Sequence, residues 1–166
     1  MDEALRDLFR HNAWATRKAI EACAALTEDQ LAATLDGTFG APQETLKHIL
    51  GAESFYRTLF GLPPDYWTEW TSRMDSLTAT DLLPWTDKLA SAWQDLLAGQ
   101  IDENQVFEQE RADGTTRQFR AGALLIQAIH HGNVHREQIC SIITSLGLEP
   151  PDVSAYAYER ERPRTP

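Results

Sequence analysis

The sequence predicts an all-α protein, a four-helix bundle with one crossover connection and a small β-hairpin before the last helix. Three observations lead there. Apolar residues recur at helical spacing in four long stretches. A connection rich in aromatic and turn residues separates the second stretch from the third, and an Asp-Gly pair sits between two short runs ahead of the fourth. A chain of 166 residues is long enough to bury a core as a single domain, residues 1–166, without disulfide or metal staples.

The first helix is expected from Leu5 to Leu26, where Leu5, Leu8, Phe9, Ala19, Ile20, Cys23 and Leu26 form an apolar stripe. Asn12 and Thr16 fall in the middle of that stripe. They read either as core polar groups bonded to a neighbouring carbonyl or as the lining of a polar pocket. Trp14 falls on the opposite face, among Asp7, Arg10, Arg17, Lys18 and Glu21. A tryptophan there reads as a contact beyond the helix's own bundle, with a partner subunit or with a loop folded over it, and a dimer contact is the expectation. The plainer alternative is a ring lying flat on Lys and Arg stems.

The second helix begins after "DGTFGAP", with Pro42 suited to a first turn, and runs to about Phe60 before "GLPP". His48 shares a face with Ala52, Phe55 and Leu59, so its imidazole should point inward. "LPPDYWTEWTSRMDSLTATD" reads as an irregular connection whose Tyr66, Trp67 and Trp70 argue against disorder. The third helix carries Leu82, Trp85, Leu89, Trp93, Leu96 and Leu97 on one side and ends near Gly99. "VFEQERADGTTRQFR" forms the hairpin, turning at Ala112-Asp113-Gly114-Thr115. The fourth helix runs from about Ala121 to Leu146 and closes at Gly147, with two prolines beyond. The tail "YERERPRTP" is expected to be loose.

Fifteen Lys and Arg against twenty-five Asp and Glu leave a formal charge of −10. Such a field repels phosphate backbones and anionic lipid surfaces, which argues against nucleic acid and membrane as partners. No window approaches the roughly 20 apolar residues of a membrane span, and the charged, periodic start "MDEALRDLFRHNAW" reads as that of a cytoplasmic protein. Cys23 and Cys140 offer neither metal-ligand spacing nor a disulfide framework, and read as fillers of apolar helix faces.

The chemistry concentrates in "AIHHGNVHREQICSII", residues 128–143. His131 and His135, four apart, stack on one helix face with Leu124, Ala128, Gln138 and Ile142, while His130 points elsewhere. A buried neutral imidazole has a donor and an acceptor to satisfy, and leaving one unpaired costs about 1–3 kcal/mol. Carbonyls and water could satisfy the two rings. A divalent metal could instead take one nitrogen from each, with inward-facing His48 as the third ligand. Three histidines with an open coordination position describe a catalytic site for Zn²⁺, or for Fe²⁺ or Ni²⁺. The zinc-protease motif is excluded, because it needs Glu directly after the first His and Gly132 stands there.

The order of "TLKHILGAESFY", a hairpin, "HHGNVHREQI" and "LGLEPPDVSAYAY" resembles the DinB family of metalloenzymes over nearly the whole chain. The resemblance implies an up-down-down-up four-helix bundle, dimeric, holding a divalent metal on His48, His131 and His135. It further implies a low-molecular-weight thiol, such as bacillithiol or mycothiol, used in S-transfer or in isomerising a small dicarbonyl acid. Asn12, Gln138 and the aromatic loop residues Tyr66, Trp67 and Trp70 are then candidates for lining the substrate pocket. Gln138 reads as orienting a ligand or substrate, or as making a plain core hydrogen bond. Glu44 reads as supporting His48, or as a solvated carboxylate near a helix start. Two departures from the family pattern stand out: Glu137 replaces the Gly of the commoner "HRGQ", and Ser154 stands where Asp is frequent, which bears on any contact of the tail with the site. The rival readings are a noncatalytic dimeric stress-response module with a structural metal, and a hydrolase in which metal activates water. DNA binding fares worse, since Arg117, Arg120 and Arg136 are too few and scattered for a groove-reading surface.

Overall fold

Proline and glycine mark several of the limits of the long helices. The computed structural model describes residues 3–61 and 64–162, with the backbone alone for residues 64–67. Helix α1 spans Glu3–Ala24. Helix α3, Pro42–Leu59, starts on its proline. Helix α5 spans Leu83–Ala98 and α6 spans Ala121–Ser145. Beyond α6, Gly147 takes φ +74°, and the N–H groups of Gly147 and Leu148 return to the carbonyls of Thr144 and Ile143, which closes the helix.

A short helix that the apolar pattern does not reveal, α2 (Glu28–Leu31), follows α1. It rests on a reciprocal cap: Thr27 Oγ1 accepts from the Gln30 N–H at 3.3 Å, and Gln30 Oε1 accepts from the Thr27 N–H at 2.9 Å.

The connection after α3 corrects the sequence reading. It folds as helix α4, Pro64–Arg73, followed by two single 3₁₀ turns at Met74–Ser76 and Thr80–Leu82. Burial of Trp70 supplies the reason. Its ring is 1% exposed and meets Trp85 edge to face, with centroids 5.1 Å apart. Gly51 of α3 makes room for it, since a Cβ there would lie 3.1 Å from the indole Nε1. Trp70 therefore fills the core instead of lining a pocket.

Strands β1 (Val106–Glu110) and β2 (Thr116–Arg120) pair antiparallel, with Phe107 opposite Phe119 and Gln109 opposite Arg117. Alternation puts these four on one face, and Phe107 meets Phe60 of the segment after α3 at 4.9 Å between centroids. The hairpin is thereby laid against the end of α3.

The tail is corrected as well. Residues Ala155–Glu161 form helix α7, capped by Ser154, whose hydroxyl accepts from the Ala157 N–H. Lys18 pairs with Glu161 at 2.7 Å and Arg162 with Asp7 at 3.1 Å, tying α7 to α1. Tyr158 of α7 lies against Trp14, with centroids 5.5 Å apart. Trp14 is thus covered by its own chain, so its position no longer calls for a second subunit. The rest of the tail, residues 163–166, lies outside the described residues.

Among the long helices, α1 packs on α5 and α6, and α3 packs on α6. The apolar interior forms two groups, one around Ile20, Leu50, Trp70, Leu89 and Ile139, the other around Phe9, Trp93, Leu97 and Ala128. Buried polar residues interrupt them. Asn12 and Thr16 fall between Phe9 and Ala19 on α1, Glu53 falls beyond Leu50 on α3, and Arg136 falls between Ile129 and Ile139 on α6. Among the described residues, no helix is long and apolar enough to cross a membrane.

Candidate metal centre

His48 leaves α3 toward α6, where His131 and His135 stand one turn apart. The packing of α3 on α6 brings the three together: one ligand nitrogen from each ring lies within 4.8 Å of the others, and each residue is half-buried. The Nε2 atoms of His48 and His131 are 3.0 Å apart. His135 donates from Nδ1 to Gln138 Oε1 at 2.8 Å, which leaves its Nε2 with a free lone pair.

The surroundings favour uncharged rings. Burial, and then the neighbouring His135 and His48, push the His131 imidazole down to about 4. Burial, and then His135, lower His48 as well. His131 Nδ1 is buried with no hydrogen-bond partner among the described residues. Three imidazole bases thus converge with no acid among them, a donor set that suits a borderline divalent cation such as Zn²⁺, Ni²⁺ or Fe²⁺. The residues present fit a metal ion.

Phe39 walls one side of the mouth, and sequence reasoning missed it. Its ring stacks on His48, with centroids 3.9 Å apart and planes 13° apart, and is 52% exposed. The left-handed turn at Gly37, φ +86°, lies two residues before it. The Phe39 N–H donates to Gln138 Oε1 at 3.2 Å, so one glutamine oxygen holds both a histidine and the loop beside it. An exposed aromatic flanked by turn glycines in "DGTFGAP" was the signal.

The DinB family model matches residues 1–165. The chain belongs to the DinB family. The three residues on which the family resemblance placed a metal are the same three that the helix packing gathers here. Among curated proteins, no match to this DinB chain is found.

The remaining predicted residues of this DinB site are placed as follows. Gln138 is at the site, as above. Asn12 is 1% exposed and donates from Nδ2 to Glu53 Oε1 at 2.7 Å, so it belongs to the helix interior and not to the mouth of the histidines. Trp70 is in the core. The side chains of Tyr66 and Trp67 lie outside the described residues. Glu44 Oε2 accepts from the Ala41 N–H at 3.4 Å, which makes it a helix-start group. Ser154 caps α7, and the carbonyl of neighbouring Val153 is 3.0 Å from His11 Nε2, so this end of the chain meets α1.

A second polar cluster gathers around Asn12 and Thr16, the polar residues of the α1 stripe, and its buried partners Glu53 and Arg136 were missed. Arg136, 1% exposed, donates to Thr16 Oγ1 at 2.8 Å, to the Asn12 carbonyl at 3.4 Å and to Asn133 Oδ1. Glu53 accepts from Asn12 and, at 3.3 Å, from Trp93 Nε1. Burial pushes the Glu53 carboxyl up, against the pull of Asn12, Arg136 and Trp93. Burial likewise pushes Arg136 down to about 10, with the Glu53 charge acting the other way. Gly132 makes the arrangement fit, because a Cβ there would lie 2.7 Å from both Arg136 Nη1 and Asn12 Oδ1. Charged residues at core positions, Glu53 three after Leu50 and Arg136 three before Ile139, were the sequence signal.

Proposed function

We propose that this DinB chain is a metal-dependent enzyme in which a divalent cation on His48, His131 and His135 activates a low-molecular-weight thiol against a small electrophile, by S-transfer or isomerisation. One observation carries the reading: three imidazoles from two separate helices meet at a half-buried mouth, with no acidic group joining them among the described residues. A divalent cation there supplies Lewis acidity, which favours the deprotonated form of a thiol bound beside it. Gln138 holds the His135 ring so that Nε2 faces the site, and Phe39 shields the outer face of His48 from water.

With this function we read the fold as the up-down-down-up four-helix bundle of the family, formed by α1, α3, α5 and α6, in a cytoplasmic homodimer. Packing of α1 on α5 and α6, and of α3 on α6, supports the bundle. The Glu53–Asn12–Arg136 cluster already ties α1, α3 and α6 together without the histidines, which weighs against a merely structural metal.

Elemental analysis of protein purified without chelator, paired with a screen of bacillithiol, mycothiol and glutathione against a model electrophile, tests the proposal. Stoichiometric metal and one productive thiol are expected, both lost in His135→Ala. A metal-loaded protein that consumes no electrophile with any thiol would sink the transferase reading.

A further inference from the structure

A groove of about 640 Å³ runs beside the histidines, between α3, α6 and the inward face of the hairpin. Tyr56 and Gln127 line its helical side, and Gln109, Arg117 and Phe119 line the hairpin side. It begins one helical turn from the site. Gln127 precedes His131 by four residues on α6, and the Tyr56 ring stands edge to face with His131, centroids 6.2 Å apart.

The charge of this groove differs from that of the chain. In a protein of net charge −10, the described residues that line it include no carboxylate and one guanidinium. Arg117 stands 4.8 Å from the centre of the Phe119 ring, a cation–π contact that steadies it over the groove. Gln109 and Gln127 add amide donors beside it. A planar, permanently charged fork flanked by amides is suited to a carboxylate.

We infer that this groove binds the carboxylate end of a small acidic molecule, with Arg117 as the residue that selects for it, while the molecule's other end reaches the histidines. The inference rests on the proposed function for what happens at the histidines, but not for the binding itself. The carboxylate belongs either to the thiol or to the electrophile.

Calorimetric titration of the full-length protein with succinate and with its uncharged diamide tests this. Succinate should bind at least about tenfold more tightly than the diamide. Arg117→Gln should abolish that preference, and Arg117→Lys should keep part of it. Two further pairs name the source: N-acetylcysteine against N-acetylcysteamine for the thiol, chloroacetate against chloroacetamide for the electrophile. A carboxylate preference in either pair that disappears in Arg117→Gln supports the groove. His135→Ala separates the two claims, since succinate should still bind there when metal and thiol turnover are gone. Equal binding of succinate and its diamide, or an unchanged preference in Arg117→Gln, would overturn the groove assignment even if thiol turnover stands.

Discussion

Two polar clusters share helices α3 and α6, one of them reaching α1 as well, and they are built on opposite principles. The Glu53–Asn12–Arg136 cluster is closed: each of the three is less than 5% exposed, with Asn12 donating from its side chain to Glu53 and accepting from Arg136 at its backbone carbonyl. The histidine cluster is half-buried, and its members are all bases, with Gln138 bonded to one of them. The difference separates a structural polar network from a receptive one. Opposite charges buried among hydrogen-bonding neighbours offset one another, whereas like bases gathered at a mouth leave lone pairs for a cation.

The largest test of this contrast is stability. Glu53→Ala leaves Asn12 Nδ2 and Trp93 Nε1 buried without their acceptor and should cost about 2–5 kcal/mol in urea unfolding. His131→Ala, in metal-free protein, should change stability by no more than about 1 kcal/mol. Equal losses would erase the distinction between the clusters.

Next comes Gly132, which lies against the closed cluster yet sits within the histidine motif. Gly132→Ala should destabilise by about 1–3 kcal/mol, because its methyl collides with Arg136 and Asn12. A thermal melt reads the loss, and an unchanged melting temperature would mean that the network yields easily. Gln138→Ala should act on the open cluster alone, weakening metal affinity about 10-fold or more with little effect on folding of the metal-free chain. Competition with a chelator measures it, and an unchanged affinity would reduce Gln138 to a loop anchor.

The smallest expected effect is pH dependence in the metal-free protein. His131 is held down to about 4 from an ordinary 6.5, so between those values the unfolded chain binds a proton that the folded chain does not. Its contribution to stability is therefore present above pH 6.5, declines as pH falls toward 4, and then levels off. Solvent at the half-buried mouth moderates the effect. Urea midpoints at pH 7, 5.5 and 4 should fall less steeply in His131→Ala than in the wild type, and parallel slopes would count against the depressed value.

The contrast between the clusters also bears on legibility. The histidines were readable because spacing of four on a helix is local, and because His48 lies on the apolar face of its own helix. Glu53 and Arg136 were readable in principle from the same periodicity, as charges at core positions, but nothing local says that each would find the other through Asn12. Trp70 misled for a related reason. Aromatics between prolines look like a loop until a surface such as Gly51 exists for one of them to bury against.

The amino-acid sequence by itself determined where the four long helices and the hairpin lie, which side of each is apolar, and which histidines face inward. These follow from residue periodicity and from proline and glycine punctuation, interactions that act within one or two turns of chain. Tertiary structure alone decided that α4 and α7 are helices, that α7 packs on Trp14, and that Phe39 stands against the three histidines. Each of those depends on a contact between segments far apart in the chain, and the burial that rewards such a contact does not exist until the helices have packed.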